Sequence, residues 1–323
     1  MANAPLPNEL PSESPTGFPS APAADAAREP LAHAADAPDM RRRVEHEIEL
    51  EGLGTTLVRD IPGPEGAPTV MLLHGLGATA RMNWGPCFRP LSRHFRVLSV
   101  DHRGHGHGLP TRRFRLEECA DDAAAIAAAR AVDRFIAVGW SMGGTIASLL
   151  WRRHAARVAG LVLCATGRHF VAKPAARALH MASPAVAGLA RLAPSVARAG
   201  VIRRAVARAP RDDLKDRYRR EFSGHDPAAL VHAVRALSGF SSHDWISEID
   251  VPTACVVTTR DGLVPASRQR RLAAAIPGAE TFEVEGDHSA CVTRADDFVP
   301  TLVGACRRVA DRAALEARHV APR

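Results

Sequence analysis

Apolar and polar positions alternate along this chain in two rhythms. Continuous apolar, strand-like runs recur at TVMLLHG (69–75), FRVLSVD (95–101), FIAVGW (135–140), VAGLVLCAT (158–166) and TACVVTTRD (253–261). Such runs suit strands buried on both faces. VEHEIEL (44–50) alternates, and TTLVRDI (55–61) and TFEVEG (281–286) are also strand-like. Between them lie segments of helical composition: LEECADDAAAIAAARAV (116–132), the stretch opening at Ser141, SRQRRLAAAIP (267–277) and DDFVPTLVGACRRVADRAALEAR (296–318). Strands alternating with helices predict an α/β fold, with a mostly parallel, eight-stranded sheet and helices on both faces. The first two strands, joined by the short EGLG link, predict an antiparallel edge.

Two regions break this rhythm. Residues 1–40 are rich in Ala, Pro, Ser and Asp with few large apolar side chains. They cannot bury enough surface to offset ordering entropy, so a disordered tail is expected. Residues 167–240 contain no convincing strand and carry Pro174, Pro184, Pro194 and Pro210, with Val186, Leu189, Leu192 and Val196 at helical spacing. They read as short helices inserted between two sheet strands, which divides the chain into a core (41–166 and 241–323) and an insert.

Composition narrows the class. With 46% hydrophobic and 24% charged residues the chain matches soluble globular proteins. No apolar run approaches the roughly 20 residues that span a bilayer. The N-terminus lacks a basic start followed by an apolar stretch, so a cytoplasmic location is expected. Cys87, Cys119, Cys164, Cys255, Cys291 and Cys306 are scattered singly, which argues against both a disulfide framework and a zinc site. The net charge of +7 is uneven: between Gly167 and Phe240, 14 Lys and Arg face 5 Asp and Glu, a balance of +9, leaving about −2 for the rest. Basicity confined to one segment excludes a chain-wide nucleic-acid binder.

Candidate chemistry gathers at strand ends, where ligands collect in open parallel sheets. After FIAVGW stands Ser141 between glycines, where a strand-like run gives way to a helix-like one. After TVMLL stand His74, Gly75, Leu76 and Gly77; after CVVTTR stands Asp261; shortly after TFEVEG stands His288. The plain alternatives are a turn serine and a surface histidine, and the co-occurrence of all four strand ends decides against them. His102, His105 and His107, three and two apart among glycines, suggest a loop rather than a metal site.

HGLG (74–77), DHRGHG (101–106), GWSMGG (139–144), TTRDGLVP (258–265) and GDH (286–288) resemble the α/β-hydrolase fold family, over roughly 44–318. The resemblance implies a Ser-Asp-His triad, a parallel-rich sheet and a helical cap after the sixth strand, where the 167–240 segment falls. In the roles that chemistry then assigns, Ser141 attacks a carbonyl, His288 takes its proton and Asp261 orients the imidazole. The backbone N–H groups of Leu76 and Met142 form the oxyanion hole. His74 and Gly75 brace that loop, and Trp140 packs beneath the serine or touches substrate. Serine rather than aspartate at the nucleophile position favours acyl chemistry over epoxide or haloalkane hydrolysis. The leading expectation is a cofactor-independent ester hydrolase acting on a small or medium-sized molecule through an acyl-enzyme. Carbon–carbon bond hydrolysis and acyl transfer or perhydrolysis stay open, as does, as a minor alternative, a catalytically silent binding protein. The basic insert is read first as a solvated face; attraction of an anionic substrate and peripheral membrane contact are its two functional readings.

Overall fold

The computed structural model describes residues 44–170 and 225–320. The expected tail at 1–40 and most of the expected cap, including Pro174, Pro184, Pro194, Pro210, Val186, Leu189, Leu192 and Val196, lie outside the described residues.

Eight strands form one sheet: β1 (Glu45–Leu50), β2 (Gly54–Ile61), β3 (Thr69–Leu73), β4 (Arg96–Val100), β5 (Phe135–Trp140), β6 (Val158–Cys164), β7 (Thr253–Thr258) and β8 (Glu280–Val284). Their order is β1-β2-β4-β3-β5-β6-β7-β8. β1 and β2 pair antiparallel, as do β2 and β4; every other pairing is parallel. The α-helices among the described residues are α1 (Ala80–Trp84), α2 (Phe88–Ser92), α3 (Leu116–Ala129), α4 (Met142–His154), α5 (Pro227–Gly239), α6 (Ala266–Ala273), α7 (Ala290–Thr293) and α8 (Ala295–Val320).

The continuous apolar strands sort their side chains to two cores by their period of two. In β5, Phe135 and Ala137 face one core with α3 and α4, while Ile136, Val138 and Trp140 face the other with α8. β3 divides likewise, Met71 and Leu73 from Val70 and Leu72. The central strands β3, β5 and β7 are buried throughout. This two-sided burial anchors their C-terminal ends, so the loops leaving that edge start from fixed points. No helix among the described residues is long and apolar enough to cross a membrane.

Two short helices, α1 and α2, follow β3 without a periodic signal in the sequence. Each spans 5 residues, too few to display a helical period. Their apolar residues Ala80, Trp84, Phe88 and Leu91 complete the core on the α8 side.

Candidate active site

Ser141 is held on the sharp link between β5 and α4, with φ 55° and ψ −114°. A non-glycine residue there costs of order 1–3 kcal/mol, which the surrounding structure must over-determine. Two glycines permit it. A methyl group at Gly139 would overlap the Gly143 carbonyl, and one at Gly143 would overlap the Leu73 carbonyl. The Ser141 N–H donates to Cys164 O at 2.8 Å, tying the link to β6. Its hydroxyl stands at the first turn of α4, beside the positive end of the helix dipole.

His288 and Asp261 reach this hydroxyl from the ends of β8 and β7. His288 Nε2 lies 2.9 Å from Ser141 Oγ, and His288 Nδ1 lies 2.7 Å from Asp261 Oδ2. Asp261 Oδ1 accepts from the N–H groups of Leu263 and Val264, both at 2.8 Å. Burial pushes the Asp261 pKa up, but His288, the Val264 N–H and the Thr258 hydroxyl outweigh it and leave the carboxyl below its ordinary value. An ionised, fixed carboxylate beside an imidazole whose other nitrogen meets a hydroxyl can activate that hydroxyl as a nucleophile.

The loop after β3 faces the same point. His74 Nδ1 donates to Gly75 O at 2.8 Å, and His74 Nε2 accepts from the His102 N–H at 2.9 Å. Both bonds together require the neutral imidazole. Burial lowers the His74 pKa to about 3, which keeps it in that form. The N–H groups of Leu76 and Met142 carry no hydrogen bond among the described residues, and free donors of this kind suit a developing oxyanion. Trp140 is buried, 5.9 Å from the His288 ring and edge-on to Phe298 at 5.2 Å. It packs beneath the histidine.

The histidines after β4 shape a loop. His102 Nε2 donates to His74 O at 3.2 Å, and the rings of His74 and His105 lie 5.3 Å apart. The His107 N–H donates to Asp101 Oδ2 at 3.0 Å. Among the described residues no three His, Cys, Asp or Glu side chains are placed to hold a metal ion.

Four residues to which the sequence reading gave no role support these groups. Asn83 accepts from the Gly75 N–H at 2.7 Å and donates to Cys291 Sγ, joining the loop after β3 to the helix beyond His288. Asp101 accepts from the Ala80 N–H at 2.7 Å, fixing the start of α1. Thr258 and Gln269 donate to Asp261 Oδ2 at 2.9 and 3.2 Å. For Gln269 a signal existed: it precedes Leu272 and Ala273 by three and four residues, which puts it on their buried face.

The chain matches the alpha/beta hydrolase fold family over residues 68–295. It is 28% identical over 242 residues to the pimeloyl-[acyl-carrier protein] methyl ester esterase of Vibrio vulnificus (strain YJ016), covering 73% of this chain and 93% of that protein. It is 30% identical over 240 residues to the esterase of the same name from Chromobacterium violaceum, covering 73% and 92%. The crystal structure of the enol-lactonase from Burkholderia xenovorans LB400 superposes with a TM-score of 0.65 at 26% identity, covering 80% of this chain and 98% of that one. The chain belongs to the α/β hydrolase fold family.

Proposed function

We propose that the protein is a serine hydrolase that cleaves a carboxylic ester of a small or medium-sized molecule through an acyl-enzyme. One observation carries this reading: a serine on a strained strand-to-helix link, 2.9 Å from an imidazole nitrogen whose ring is held by a buried carboxylate at 2.7 Å. In the reaction, His288 takes the Ser141 proton as Oγ attacks the carbonyl. Asp261 holds the imidazole and stabilises its positive form. The N–H groups of Leu76 and Met142 receive the tetrahedral oxyanion, and His288 returns the proton to the departing alcohol. Water, activated by the same histidine, then releases the acid. No cofactor or metal enters these steps.

The names of the relatives, two methyl ester esterases and a lactonase, support an ester bond as the target. At the described end of the 167–240 insert, α5 seats Ala229 against Gly104 in the loop after β4, which supports reading the insert as a cap. Six free, buried cysteines suit a reducing compartment such as the cytoplasm.

The test is hydrolysis of p-nitrophenyl esters from acetate to palmitate by wild type and Ser141→Ala, with fluorophosphonate labelling alongside. The expected result is one preferred chain length, labelling of Ser141, and a loss of at least about 10⁴-fold in the variant. Labelling without turnover of any ester would transfer the chemistry to carbon–carbon cleavage or acyl transfer. Absence of labelling would overturn the nucleophile.

A further inference from the structure

Beside the Ser141 group, the described residues gather one cluster of positive charge with no counter-ion. Arg168 and His169 follow β6 at one root of the insert, and His243 lies at the other. Arg268 and Arg271 sit on α6, on either side of the Gln269 that bonds Asp261. The imidazoles meet, His243 Nε2 to His169 Nδ1, at 2.9 Å. Arg268 lays its stem against Gly167 and donates from Nη1 to Phe170 O at 2.5 Å. Arg168 lies between Gly167 and His169 in the chain, and Arg271 follows Arg268 by three residues, about one turn, on α6. Burial first, and then the charges of Arg268, His243, Arg168 and Arg271, hold the His169 pKa below its ordinary value.

Several other described arginines find carboxylates, Arg96 and Arg130 on Asp60, Arg103 on Glu118 and Asp122, Arg270 on Glu283, while Arg93, Arg134 and Arg235, single along the chain, have no ion pair among the described residues. None of the five clustered side chains has an ion pair among the described residues. Asp244, next to His243 in the chain, makes none with them either. The 2.9 Å contact needs one ring nitrogen to donate and the other to accept, so the histidine pair adds at most one proton to three permanent charges. Like charges repel, and their concentration at the roots of one insert, with no carboxylate among the described residues to answer them, suits an anion they serve.

Its position indicates whose anion. The cluster follows the C-terminal ends of β6 and β7, and β6 borders β5, which carries Ser141. Thr166, one residue before Gly167, abuts Gly144 in the first turn of α4.

We propose that Arg168, Arg268 and Arg271, with the His169–His243 pair, bind an anionic group, carboxylate or phosphate, on the molecule whose ester Ser141 attacks. The proposal rests on the serine hydrolase reading and narrows its substrate class. Guanidinium forks match either oxyanion in two-point geometry, and their field draws such a substrate toward the site.

The experiment compares three methyl esters of equal chain length, ending in a methyl, a carboxylate or a phosphate group. Wild type, Arg168→Gln, Arg271→Gln and Arg168→Lys are assayed at low and raised salt. The expected result is a preference for the anionic esters in wild type, carried by KM and weakened by salt. The ratio of kcat/KM for anionic over neutral ester falls about tenfold in each glutamine variant and recovers partly in Arg168→Lys. The ester that responds more identifies the group. A ratio unchanged within about twofold would overturn the proposal. Calorimetry with inorganic phosphate on wild type and the double glutamine variant tests the cluster without turnover. Binding lost in the variant supports it, and no binding, or equal binding, overturns it. Fluorophosphonate labelling of wild-type Ser141 reports separately on the reaction itself.

Discussion

Asp261 accepts hydrogen bonds from Leu263, Val264, Thr258, Gln269 and His288, and the last three share Oδ2. In the proposed reaction only His288 takes part in proton transfer, so the others define the direction from which the carboxylate meets the imidazole. Gln269 is buried, and its amide is bonded at both ends: Oε1 accepts from the Thr258 N–H at 3.0 Å, and Nε2 donates to Val264 O at 2.7 Å as well as to Asp261. Gln269→Met, which keeps the length and removes the donor, should lower kcat/KM about tenfold with KM nearly unchanged, the worth of one hydrogen bond to a charge. Gln269→Glu should introduce a new alkaline limb in the pH–rate profile. Protonated, the glutamate still donates to Asp261; ionised, it sets a second negative charge against it. A profile of wild-type shape in Gln269→Glu would make the residue merely structural. At this scale the sequence pointed to Ser141, Asp261 and His288, because the proposed chemistry demands those types at strand ends, and the structure brings the three side chains within hydrogen-bond distance. It hid Asn83 and Thr258, because nothing local tells which way a polar side chain turns once the chain is folded.

The link between β5 and α4 is an element-scale device. Its strain is kept in place by the backbone of Gly143 lying against the Leu73 carbonyl and by the Ser141 N–H bonded to β6. Gly143→Ala would drive Cβ into backbone that cannot swing aside. It should cost about 3 kcal/mol in urea unfolding and reduce labelling of Ser141 in the molecules that still fold. A variant of wild-type stability would show that β3 and α4 have room to part. The strands were legible because burial on both faces leaves continuous apolar runs, and α3, α4, α6 and α8 because their length displays composition. α1 was not: Thr79 caps it locally, bonding the Met82 N–H at 3.2 Å, but Asp101, 21 residues further on, fixes its first N–H. A helix nucleated by so distant a carboxylate leaves no local signature.

Across the whole molecule, the buried histidines set how the fold responds to acid. His74, His102 and His105 all have pKa values lowered first by burial and then, beside it, by neighbouring histidines; His74 falls to about 3. His105 sits between the rings of His74, Phe114 and His225, and the Asp101 carboxylate acts on it in the opposite sense. A histidine that stays neutral when folded binds fewer protons than it does unfolded. Its favourable contribution is therefore complete above the unfolded value of about 6.5 and is lost as pH falls toward the folded value. His74, with a folded value of about 3, forfeits about 2 kcal/mol by pH 5, a large share of a typical domain's stability. Asp60 and Asp261, whose folded pKa values are lowered, contribute above the unfolded value of about 3.9 and lose that only further down. Acid unfolding should accordingly begin between about pH 6 and 4, ahead of the carboxylates, when followed by tryptophan fluorescence and circular dichroism. His105→Phe keeps a ring of similar shape against Phe114 and removes one protonation site, so its acid midpoint should fall by about half a pH unit. An unchanged midpoint would place the acid sensitivity elsewhere. Because His74 bonds Gly75 in the loop whose Leu76 N–H is proposed to receive the oxyanion, the same titration should abolish labelling of Ser141 no later than it unfolds the sheet.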